Sequence, residues 1–129
     1  MSNIQKILLI FGILAFIVTL EVCLSRMTDN LVDQTLQQLE NLTEILKNED
    51  FEKSKSKSEE LKQKWFEYEE KLAFFMEHDE LEKISLKIAI ISENSLNEAY
   101  DSALEDVIET TYLLEHVKDK LKLKIKNIF

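Results

Sequence analysis

ILLIFGILAFIVTLEVCL, residues 7–24, decides how the rest of the chain is read. Its single charged residue is Glu21. At about 1.5 Å per residue this helix spans about 27 Å, close to a hydrocarbon core of about 30 Å. The stretch reads as a transmembrane helix and the remainder as a domain tethered to a bilayer. Glu21 lies about one turn from the exit end, within reach of lipid headgroups; a charge in mid-membrane would cost far more. Three other readings fit less well. A cleaved signal peptide wants small residues before the cut, and Leu20-Glu21-Val22-Cys23-Leu24 offers no such pattern. Lipidation of Cys23 also wants a small residue before it, and Val22 and Glu21 are not small. A buried helix of a soluble protein is the third. Lys6 and Arg26 flank the stretch evenly, a tie under the positive-inside rule. The short tail of residues 1–6 ahead of an uncleaved span suits a signal anchor. That expectation places the chain in the cell membrane as a single-pass protein, with its bulk outside the cytoplasm.

Working outward, the 129 residues allow one span and one domain of about 100 residues. There is no proline, and the one glycine, Gly12, lies in the span, so the domain lacks the usual breakers of regular structure. Long helices with short connections are expected. The one cysteine excludes an intramolecular disulfide and a cysteine-based zinc site. A net charge of −9 argues against nucleic acid as a partner, because phosphate binding needs a basic face. The basic residues crowd the carboxyl end instead, at Lys118, Lys120, Lys122, Lys124 and Lys126.

Residues 27–117 read as an antiparallel bundle of about four helices. Met27-Thr28-Asp29-Asn30 either caps a new helix or continues the span. Val32, Leu36, Leu39, Leu42 and Leu46 form the first apolar stripe, at steps of three and four. Asp50 is placed to cap the second helix. Along it Phe51, Ser54, Ser58, Leu61, Trp65, Tyr68, Leu72 and Phe75 keep the same phase, so KSKSKS (residues 53–58) reads as its thinner start rather than a linker. Glu77-His78 is expected to end that helix, and Asp79 with Glu82 to open a third carrying Leu81, Ile84, Ile88 and Ile91. Asn94 would close it. Ser95 with Glu98 is expected to open a fourth, with Leu96, Tyr100, Ala103, Val107, Thr111, Leu114 and Val117.

Residues 118–129 change period. KLKLKIK (residues 120–126) alternates strictly, an extended pattern. With four helices in up-and-down order, this tail returns to the bilayer. Lys120, Lys122, Lys124, Lys126 and Phe129 are then candidates for contact with membrane lipid, each lysine contributing around 1 kcal/mol near an anionic surface. The alternative is a tail packed in a groove of the bundle, apolar side in and lysines out.

Several segments in order resemble a known family: Asn48-Glu49-Asp50-Phe51-Glu52-Lys53 ahead of Leu61 and Trp65, His78-Asp79-Glu80-Leu81-Glu82, Leu113-Leu114-Glu115-His116-Val117, and the closing Asn127-Ile128-Phe129. The chain resembles the bacterial family of domain of unknown function 4363 over nearly its whole length. The resemblance implies a small single-span protein of Gram-positive, often spore-forming, bacteria, and a neighbouring multi-span membrane protein as partner. It implies no particular activity. Where the family places proline and glutamate after the second histidine, this chain has Lys118 and Leu121.

His78 and His116 each follow a glutamate and are read as ending helices at one pole, where Glu77, Glu82, Glu115 or Asp119 could complete a metal site. The Glu-x-x-His spacing of di-iron bundles is absent. The plainer role is capping a helix carboxyl end, and pH sensing is a third. Trp65, Tyr68, Leu72 and Phe75 sit on the core phase, whereas Phe66 and Phe74 lie off it and are candidates for a partner surface. No nucleophile–base pair, phosphate loop or metalloprotease motif is present, so neither catalysis nor a cofactor is expected. The reading that results is a non-catalytic accessory or structural subunit binding a membrane partner. The alternative is an extracytoplasmic sensory or ligand-binding bundle, and a homo-oligomer is compatible with both.

Overall fold

A computed structural model describes residues 2–128. It contains four α-helices, α1 (Asn3–Lys47), α2 (Phe51–Leu72), α3 (His78–Leu96) and α4 (Tyr100–Ile128), and no strand among the described residues. The span and the first helix of the domain are one element. Met27-Thr28-Asp29-Asn30 continues the helix, because nothing there breaks the backbone and Thr28 returns its hydroxyl to the Leu24 carbonyl. At 45 residues, α1 is about 68 Å long.

α1 packs against α2 and α4, and α3 packs against the same two, so the helices form a ring. The pairings across them run antiparallel. Tyr68 near the end of α2 donates to Gln34 early in the packed part of α1. Trp65 of α2 meets Ser85 of α3, Asn94 of α3 meets Asp106 of α4, and Lys118 of α4 meets Asp33 of α1. One pole therefore gathers the carboxyl ends of α2 and α4, the start of α3 and the part of α1 that emerges from its apolar segment. The loops at 48–50 and 97–99 lie at the opposite pole.

The core follows the stripes read from sequence, except that Leu96, expected on the fourth helix, ends α3 at 38% exposure and Thr110 rather than Thr111 is buried on α4. Val32, Leu39, Leu42 and Leu46 are buried from α1, Leu61, Trp65 and Leu72 from α2, and Ile84, Ile88 and Ile91 from α3. Ser54 and Ser58 are fully buried, so the KSKSKS run is core-facing helix. Small residues there let helices approach closely. Asp50 caps α2 through Lys53 N–H at 3.1 Å.

Several boundaries depart from expectation. α2 ends at Leu72, and His78 opens α3 instead of closing α2. The residue before it, Glu77, takes the cap position without a side-chain bond, so the Asp79–Glu82 box does not form. Ser95 does not open α4. Its hydroxyl is buried within α3 and donates to the Ile91 carbonyl, while Glu98 adopts a left-handed φ of 57° after the helix end. Ala99 N–H reaches back to Asn94 O at 2.9 Å and Glu98 N–H to Ser95 O at 3.3 Å, the paired bonds of a Schellman ending.

The extended tail is also overturned: α4 runs unbroken to Ile128. Leucine and lysine are strong helix formers, and a lone strand here has no ladder to join. Leu121 is 2% exposed and continues the buried phase of Ala103, Val107, Thr110, Leu114 and Val117. The alternation of lysine and leucine is thus superimposed on a helical stripe.

Candidate functional site

The first candidate surface is the pole where α1 leaves its apolar segment. Residues from Ile4 to Leu20 project freely, with Ile7, Leu8, Phe11 and Phe16 each more than half exposed. The apolar window in α1 has no side chain buried within the chain and is long and apolar enough to cross a membrane. α4 descends alongside. Lys118 is level with Asp33, so ten further residues carry the α4 backbone about 15 Å toward the apolar segment, near Leu24. On this last stretch Lys122, Leu123 and Lys126 are exposed. The Lys124 side chain and Phe129 lie outside the described residues. Lys120 is engaged instead: it donates to Glu80 Oε1, lies 3.8 Å from Glu77, and these carboxylates hold its amino group above the usual lysine range. The lysines expected at the lipid surface therefore divide, with Lys120 tying α4 to α3 and Lys122 and Lys126 facing outward.

Phe74 lies in the turn between α2 and α3 at this same pole and is 79% exposed. Phe66 is 44% exposed on α2. Both side chains are accessible, as a partner surface requires, but they belong to different segments.

Neither histidine ends a helix as expected: His78 opens α3, and His116 lies inside α4, twelve residues before its end. His78 lies 3.9 Å from Glu82 one turn along its own helix. His116 lines a shallow cavity of about 250 Å³ with Asp79, Glu80 and Leu113. Glu77, one carboxylate offered to a metal by the sequence reading, faces Lys120. Among the described residues no group of three or more His, Cys, Asp or Glu side chains is disposed to hold a metal ion.

The second surface was not legible in the sequence. α1 and α4 leave between them an open groove of about 810 Å³. Leu36, Val107 and Thr111 line it, and Ile108 and Tyr112 stand at 66% and 72% exposure. Carboxylates edge it: Asp33, Glu40 and Glu44 from α1 and Glu115 from α4. Lys118 closes the end nearest the apolar segment through Asp33, which holds the lysine above its ordinary pKa. The sequence signal was present in the spacing Ile108–Tyr112, one turn on the face of α4 that does not enter the core. Single exposed apolar residues are common, so that spacing alone had no weight.

Neither the curated proteins nor the solved structures contain a match to this chain. The sequence pattern described as Domain of unknown function (DUF4363) matches residues 22–128, which takes in the whole bundle and begins as the apolar segment ends. With so much of its length matched, including α2, α3 and both histidines, the chain belongs to the DUF4363 family.

Proposed function

We propose that this chain is a non-catalytic accessory or structural subunit, anchored by residues 7–24 as a single membrane span and holding its bundle against the membrane surface, where it binds a membrane-protein partner. The observation that carries the reading is the continuity of α1. The bundle completes its own core without the apolar segment, which leaves twelve large apolar side chains between Ile4 and Leu20 exposed. At about 1.5–3 kcal/mol for each such side chain, moving them out of water is worth on the order of 20 kcal/mol. A lipid core or a partner's spans supply that environment. A helix without glycine or proline beyond Gly12 fixes the orientation of the bundle to the span. Rigid coupling of that kind suits a subunit that braces a neighbour. The signal-anchor orientation puts the bundle on the extracytoplasmic side, and Lys122, Lys126 and Phe74 fall where headgroups would lie.

Cross-linking of the tagged protein in its native membrane, mild extraction and identification of what accompanies it tests this. The expected result is one stoichiometric membrane protein. Recovery alone, or only with its own copies, refutes it. A ligand-binding bundle is the second reading, favoured by the 810 Å³ groove, which falls within the size range of small-molecule sites.

A further inference from the structure

We infer that the groove between α1 and α4 receives a basic amphipathic helix of the membrane partner, a proposal that rests on the accessory-subunit reading. Three observations fix the occupant. The first is length. The groove runs from Asp33 to Glu44 on α1 and from Val107 to Lys118 on α4, twelve residues on each, or about 17 Å, three turns of a docked helix. The second is chemistry. Its exposed apolar residues, Ile108 and Tyr112, offer a stripe for anchors at helical spacing, and Glu40, Glu44 and Glu115 flank that stripe with exposed carboxylates. An apolar strip between acidic edges complements a helix with apolar residues on one face and Lys or Arg beside them. A second copy of this chain is disfavoured, because joining two such grooves sets carboxylates against carboxylates in a chain of net charge −9.

The third observation is position. The groove is parallel to α1, and its near end at Asp33 begins about 14 Å above Leu24. A partner span lying beside the α1 span and continuing as helix out of the bilayer would enter the groove without a turn. Lipid is too far below to fill it. A β-strand would find no free sheet edge, because the groove has helical walls.

The test uses the full chain in its native membrane, with the photo-reactive amino acid p-benzoylphenylalanine placed in turn at position 112 in the groove, 86 on exposed α3 and 16 in the span. Adducts are digested and mapped by mass spectrometry. The expected result is one partner captured from both 112 and 16, with the peptide joined to 112 carrying Lys or Arg beside an apolar helical stripe. Position 86 gives at most a tenth of that yield. The triple variant E40K/E44K/E115K, at exposed sites whose ion pair, Glu44 with Lys47 at 3.9 Å, is itself exposed, lowers the yield at 112 at least tenfold while keeping that at 16, and retained capture from 16 shows that the chain is folded in the membrane. An adduct at 112 with a second copy, with a peptide lacking basic residues, or with equal yield in the triple variant overturns the inference. A partner captured from 16 with none from 112 overturns the groove and leaves the accessory role standing. No protein captured from either position overturns both.

Discussion

Removal of one hydroxyl, in Ser85→Ala, is expected to cost this bundle about 1–3 kcal/mol. Trp65 is fully buried, and its Nε1–H donates to Ser85 Oγ at 2.8 Å. The Ser85 hydroxyl in turn has two acceptors within reach, Glu69 Oε1 at 2.7 Å and the Leu81 carbonyl at 2.8 Å. Alanine leaves the Leu81 carbonyl its helical partner, so that acceptor loses little. The indole N–H has no such reserve, and a buried donor left unpaired costs about 1–3 kcal/mol. The cavity left by one oxygen atom is minor beside it. Trp65→Phe removes the donor but opens space in the core, so it destabilises by a different route. The double variant should therefore lose less than the sum of the two singles, with a coupling of about 1–2 kcal/mol. Urea unfolding of the full chain in detergent, followed by far-ultraviolet circular dichroism, measures all three variants without depending on tryptophan fluorescence. For a domain of about 100 residues, 1 kcal/mol moves the melting temperature by about 4–8 °C. A Ser85→Ala midpoint within about 0.3 kcal/mol of the parent, or strict additivity in the double variant, would refute the reasoning.

Leu121→Ala should cost about 2–4 kcal/mol, because a leucine at 2% exposure leaves a cavity; an extended tail lying off the bundle would predict almost no change in thermal melting. Glu98→Gly should raise stability by about 0.5–1 kcal/mol in the same assay, since a φ of 57° strains a residue with a Cβ and glycine's entropy offsets only part of the relief. Lys118 has its pKa raised by its bond to Asp33, so its contribution is complete below the ordinary lysine value and is lost as pH rises through the elevated one. Lys118→Met should therefore leave a difference in melting temperature from the parent at pH 7 that narrows above about pH 10.5; a difference independent of pH would exclude this pairing as the cause.

The sequence by itself determined the apolar segment, the all-helical class, and the buried phase of α1 to α3, down to Ser54 and Ser58 in a run that resembles a linker; on α4 it placed Ala103, Val107, Leu114 and Val117 but put Leu96 and Thr111 on a stripe where Thr110 is buried instead. These are local properties: a period of 3.6 residues and an apolar stretch with a single charge are visible in a short window of the chain. Tertiary structure decided what local windows leave degenerate. KLKLKIK satisfies a two-residue period and a helical one together, and only packing of Leu121 in line with Leu114 and Val117 selects the helix. Asp79 and Ser95 both carry capping chemistry, yet their helices start elsewhere because α2 stops at Leu72 and Ser95 is needed inside α3. The groove of α1 and α4 belongs to neither helix alone. It exists because two helices separated in sequence by the whole of α2 and α3 lie side by side with Ile108 and Tyr112 turned away from the core, a relation between faces that no single periodicity encodes.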